Sequence, residues 1–123
     1  MKNNLKHEIM WWLSRLTIMM TSLFLSFTLA SSAYAIDVTM GSGGNLVFEP
    51  NEITINAGDT IKFVNGDLPP HNVMVDGHPE LSHGDLAFAA GDSFEVTFPD
   101  TGDYNFQCDP HAGAGMKGVI HVE

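Results

Sequence analysis

The stretch Tyr104-Asn-Phe-Gln-Cys108-Asp-Pro-His111-Ala-Gly-Ala-Gly-Met116-Lys-Gly-Val-Ile-His-Val-Glu123 decides how the rest of the chain is read. As far as Cys108 it alternates, with Tyr104, Phe106 and Cys108 on one face, the pattern of a half-buried β-strand. From Gly118 to Val122 it reads as a strand again. Between the two strands Pro110, Gly113 and Gly115 make a tight loop. That loop carries the chain's only cysteine, then His111 three residues on and Met116 eight residues on.

Outward from this stretch, the pattern is short and β-like. Asp37–Met40 reads as a first strand and Leu46–Glu49 as a second, ended by Pro50-Asn51. Glu52–Ile55 and Thr60–Val64 alternate polar and apolar, and His71–Val75 continues after the Pro69-Pro70 corner. Val75–Ala90 is irregular, with a short helical turn expected around His83–Leu86. Ser93–Phe98 is the clearest strand, with Phe94, Val96 and Phe98 inward. Many short strands and no long helix indicate a small antiparallel sandwich or barrel. Its expected inward set is Val38, Phe48, Ile53, Ile55, Ile61, Phe63, Val73, Phe94, Val96, Phe98, Tyr104, Phe106 and Ile120.

Residues 1–35 read as an export signal. Lys2, Lys6 and Arg15 precede or enter an apolar run, and Ala33-Tyr34-Ala35 is a small-residue cleavage site. A retained membrane anchor over Trp11–Ala30 is the alternative; Arg15 and the cleavage site favour removal. With no twin arginine, export precedes folding and metal is acquired outside the cytoplasm. The remaining domain, 36–123, keeps only Lys62 and Lys117 against 14 of the 15 acids, a formal charge of −12. Nucleic acid is excluded as a partner, and a basic protein surface suits the field better.

A domain of this size needs support beyond its core, yet one cysteine forbids an internal disulfide. An exported thiol also invites oxidation unless it is buried or bound to metal. Metal answers both problems. Cys108, His111 and Met116, with His71 arriving from a distant Pro70-His71-Asn72, form the thiolate, imidazole and thioether set that selects copper. Zinc also takes Cys and His, but methionine serves it poorly. His78, His83 and His121 fall outside the loop and read as solvent-exposed histidines.

Tyr104–Val122, with Pro70-His71-Asn72, Leu46-Val-Phe-Glu-Pro50, Leu81-Ser82 and Phe94-Glu-Val96, resembles the plastocyanins, small blue-copper electron carriers of oxygenic photosynthesis. The resemblance spans essentially all of 36–123. It implies an all-β fold, a cupredoxin-like Greek-key antiparallel β-sandwich, with one copper, Cu(I)/Cu(II), held by His71, Cys108, His111 and Met116. It implies that Asn72 tightens the site through outer hydrogen bonds. It further implies an apolar electron port around the His111 edge, at Leu46, Leu68, Pro69, Pro70, Pro110, Gly113 and Ala114. The implied partners are cytochrome f as donor and photosystem I as acceptor, met by a monomer in a thylakoid lumen or periplasm. Gln107 stands where the family usually has tyrosine, Ala112 where bacterial members often have a base, and the 71–108 segment is shorter than in plant members. These departures bear on docking.

Four ligands leave no open position for a substrate, and no nucleophile has a neighbouring base, so an enzyme is not expected. Two other readings remain open. A pseudoazurin-like cupredoxin would feed a reductase or oxidase, though pseudoazurins extend well past the axial Met. A copper-delivery module would need neither tight ligand geometry nor an apolar port.

Overall fold

The computed structural model describes residues 34–123, together with 6 and 8–10 near the start. The export signal and the anchor alternative fall, apart from those few positions, outside the described residues. Among the described residues, no helix is long and apolar enough to cross a membrane. The chain divides into two units, Met1–Ser31 and Ser32–Glu123, and the second holds every described strand.

The strands are β1 (Tyr34–Met40), β2 (Phe48–Glu49), β3 (Glu52–Ile55), β4 (Thr60–Asn65), β5 (His71–Val75), β6 (His83–Ala87), β7 (Ser93–Thr97), β8 (Gly102–Gln107) and β9 (Lys117–Val122). They form two sheets, ordered β2-β1-β4-β7 and β3-β9-β8-β5-β6. The β-sandwich read from the sequence is therefore present. Most pairings are antiparallel, while β1 with β4 and β3 with β9 run parallel.

Alternation along the strands explains the layering. Ile61 and Phe63 of β4, Val38 of β1 and Phe48 of β2 meet Ile53, Val73, Phe106 and Ile120 of the facing sheet, and all are buried. Phe106 sits edge-on to Phe48 at 4.7 Å between ring centroids and to Phe63 at 5.8 Å, which ties the two layers together.

Of the expected inward set, Phe94 alone is only half-buried. It lies on β7, an outermost strand of its sheet, and stacks on Phe63 at 5.5 Å and on His83 at 3.9 Å. The expected helical turn at His83–Leu86 is corrected: those residues form β6, paired antiparallel to β5. The helical turn falls earlier, as a 3₁₀ turn over Pro79–Leu81. Ser82 fixes it there, its Oγ accepting from the Val75 N–H at 2.8 Å and donating to the His78 carbonyl at 2.9 Å. The unpaired edge of β5 then captures the residues that follow. The second strand is also shorter than read, Phe48–Glu49 instead of Leu46–Glu49, because Val47 N–H bonds locally to the Asn45 carbonyl at 3.0 Å.

The β5–β8 pairing positions the site. Met74 faces Gln107 and Val75 faces Phe106 in antiparallel register, so the start of β5 lies beside the chain leaving β8. His71 and Cys108 are brought to the same end of the sandwich.

Candidate metal centre

Four residues that lie far apart or in a loop converge at that end. After Cys108 the chain makes a 3₁₀ segment over Asp109–Ala114, with Pro110 in its first turn. The segment closes on itself: His111 N–H bonds to the Cys108 carbonyl at 3.1 Å, Met116 N–H to the His111 carbonyl at 3.2 Å, and Cys108 N–H to the Met116 carbonyl at 3.1 Å. Gly115 ends it in the left-handed region at φ 89°, a conformation glycine takes without a Cβ penalty. Backbone bonding therefore draws positions 108, 111 and 116 of the loop together.

The donor atoms face one another. Cys108 Sγ lies 3.7 Å from His71 Nδ1 and 3.5 Å from His111 Nδ1, and the two nitrogens are 3.2 Å apart. A metal in a trigonal plane, with bonds of about 2.0 Å to nitrogen and about 2.3 Å to sulfur, sets its donors roughly 3.5–3.7 Å apart. The triangle fits. Among the described residues, this is the one group of three His, Cys or acidic side chains whose ligand atoms all lie within 4.8 Å of one another. Met116 is fully buried on the same loop, as are His71 and Cys108, while His111 is half-exposed. His78, His83 and His121 lie outside the group.

Each imidazole is aimed. His71 Nε2 donates to the Asp67 carbonyl at 2.8 Å, which leaves Nδ1 with its lone pair turned toward the sulfur. Asn72 clamps β5 to the loop: its Oδ1 accepts from the Asp109 N–H at 2.9 Å and its Nδ2 donates to the Gly84 carbonyl at 3.2 Å. Burial pushes the Cys108 thiol up, against the backbone N–H groups of Asn72 and His111 that favour the thiolate. Burial, and then the nearby His71, push His111 below the ordinary imidazole value. The pocket thus favours the neutral form of the His111 imidazole, and a cation is what makes the thiolate favourable.

Two residues essential to this frame escaped the sequence reading. Gly41, at φ 75°, packs so closely that an added Cβ would collide with the Asp67 carbonyl and come within 2.6 Å of His71 Nε2. Asp67 holds the His71 ring through its backbone and receives the Gly44 N–H on Oδ2 at 3.1 Å. The glycines at 41, 43 and 44 announce a turn, but nothing local ties that turn to a histidine so far along the chain.

The comparisons with known proteins agree with this geometry. Residues 34–123 match the model of the copper binding proteins, plastocyanin/azurin family. The chain belongs to that family. A plastocyanin of Nostoc punctiforme is 43% identical over 90% of this chain and 91% of its own length. The oxidised plastocyanin of the fern Dryopteris crassirhizoma superposes with a TM-score of 0.64 at 32% identity, covering 71% of this chain and 99% of the fern protein. Pseudoazurin of Methylobacterium extorquens gives 0.53 at 32% identity, covering 71% of this chain and 73% of its own. In this family the soft donor set takes copper, and the chain is a cupredoxin-fold electron carrier and not an enzyme.

The positions expected around the port divide by exposure. Leu68, Pro69, Pro110, Gly113 and Ala114 are exposed, while Leu46 and Pro70 are half-buried. Gln107 is also half-buried, its Nε2 donating to Asp109 Oδ1 at 3.4 Å.

Proposed function

We propose that this protein is a soluble, monomeric one-electron shuttle in which His71, Cys108, His111 and Met116 hold the copper. It carries electrons from cytochrome f to photosystem I in a thylakoid lumen or periplasm, after removal of residues 1–35. The observation that carries this reading is the contrast within the donor set. His71, Cys108 and Met116 are buried, and only His111 reaches the surface, on a loop whose neighbouring side chains are small or apolar.

Copper, when bound, supplies a one-electron couple. Everything else is the work of the chain. His71 is locked by Asp67, and Asn72 braces the loop, so the donors are held alike whichever charge they face. Burial excludes water from the sulfur side. The outer edge of His111 gives an incoming partner its shortest approach, and the apolar rim allows a brief contact of small area. Asn72 acts as the outer brace, and Leu46, Leu68, Pro69, Pro70, Pro110, Gly113 and Ala114 form the docking rim.

Reduced, copper-loaded protein mixed with photosystem I and flashed with light should be oxidised rapidly, seen as growth of the blue thiolate-to-copper band. No oxidation above that of an unrelated copper protein would overturn the assignment of partners. A pseudoazurin-like role remains the second reading. The fuller coverage of the fern plastocyanin, 99% against 73% for the pseudoazurin, supports the first.

A further inference from the structure

From residue 36 onward, the large apolar side chains left exposed are Leu68, Leu86 and Phe88, at 50%, 38% and 68%. Scattered exposed leucines are ordinary, but these three are not scattered. Ala87 pairs with His71, so the end of β6 lies at the metal end of the sandwich, and Leu86 and Phe88 flank Ala87 on the outward side of the pleat. Leu68 lies three residues before His71, in the corner leading to it.

Phe88 is held out by a fixed backbone. The buried Asn65 amide donates to the Ala87 carbonyl at 3.1 Å and to the Ala89 carbonyl at 2.9 Å, gripping the chain on both sides of Phe88. The Gly91 N–H bonds to the Asn65 carbonyl at 2.7 Å, and the Ala89 N–H bonds to Asp92 Oδ2 at 3.0 Å. A phenyl ring displayed on a braced segment loses little freedom when it is covered, which suits a docking anchor.

We propose that Leu86 and Phe88 extend the docking face from the His111 rim onto the end of β6, and that they receive an apolar patch of the redox partner bordered by Lys or Arg. This rests on the electron-carrier reading above. Charge selects the occupant. Asp67, Asp85 and Asp92 are exposed on the same segments as Leu68, Leu86 and Phe88, while the two lysines beyond residue 35 lie on other strands, Lys62 on β4 and Lys117 at the start of β9 opposite Gln107. A second copy, formally −12 over 36–123 as well, would set like charge against like.

The test uses the full copper-loaded protein in stopped-flow with cytochrome f and in flash oxidation by photosystem I. Phe88→Ser should lower the second-order rate with at least one partner by about tenfold, the loss expected of one covered apolar anchor. Phe88→Leu should recover most of it, and the blue band and reduction potential should stay as in the wild type. A wild type that reacts while Phe88→Ser reacts equally fast overturns this inference and leaves the carrier reading standing. A wild type that reacts with neither partner overturns both. A wild-type dimer in sedimentation that Phe88→Ser dissociates would give the patch to a second copy and overturn the proposal.

Discussion

Two places on the five-stranded sheet, its metal end with the loop leaving β8 and its outer face at β9, do opposite things with an imidazole. At its metal end, His71 and His111 turn Nδ1 atoms toward each other at 3.2 Å beside a buried sulfur, with no carboxylate in the group. On its outer face, His121 lies between two acids, with Nδ1 2.6 Å from Asp103 Oδ1 and Nε2 3.4 Å from Glu52 Oε1. Burial pushes His111 below the ordinary imidazole value, whereas the hydrogen bond that His121 donates to the Asp103 carboxylate pulls His121 above it. Residue type is the same. Surroundings decide whether the ring is kept neutral for a soft metal or holds a proton.

The largest expected effect breaks the buried cluster. Cys108→Ser removes the soft donor, so added Cu(II) should give no intense blue band, with copper retention measured by equilibrium dialysis falling steeply. An unchanged band would show that the colour does not come from a bond between copper and the Cys108 sulfur. Next, Asn72→Ala leaves the four proposed ligands in place but releases Asp109 and Gly84. Copper affinity should drop about 10–100-fold, as for other groups that orient metal ligands, read by competition with a chelator.

Gly41→Ala sharpens the comparison further, since it touches only the frame. The new methyl collides with the Asp67 carbonyl and the His71 ring at a positive φ, and should cost on the order of 1–3 kcal/mol in denaturant unfolding of the metal-free protein. The smallest effect belongs to the exposed cluster. The folded protein raises His121 above 6.5, so its stabilising contribution is full below that value and is lost as pH rises through the folded pKa. His121→Gln should therefore lower the melting temperature below pH 6.5, with the difference from wild type shrinking toward alkaline pH. A difference that grows with pH would refute the assignment of a proton to this cluster.

Much of this was legible along the chain because it is local. Alternation at Glu52–Ile55, Thr60–Asn65 and Ser93–Thr97 sets which residues face inward, since a strand repeats every two residues. Phe94 misled because a strand at the edge of a sheet shows the same alternation as a central one, yet its inner face is covered only in part. His83–Ala87 misled because five residues with glycine and aspartate have no clear period, and pairing with β5 decided the outcome.

The sequence by itself determined the copper chemistry. Cys108, His111 and Met116 lie within one loop, and the spacing that joins them is covalent. Only the tertiary structure decided that His71 faces them 3.7 Å from the sulfur, that Gly41 leaves room for its ring, and that Phe88 stands exposed at the same end. Those facts depend on sheet pairing between segments distant in the chain, and no local pattern of residues encodes which distant backbone will lie alongside.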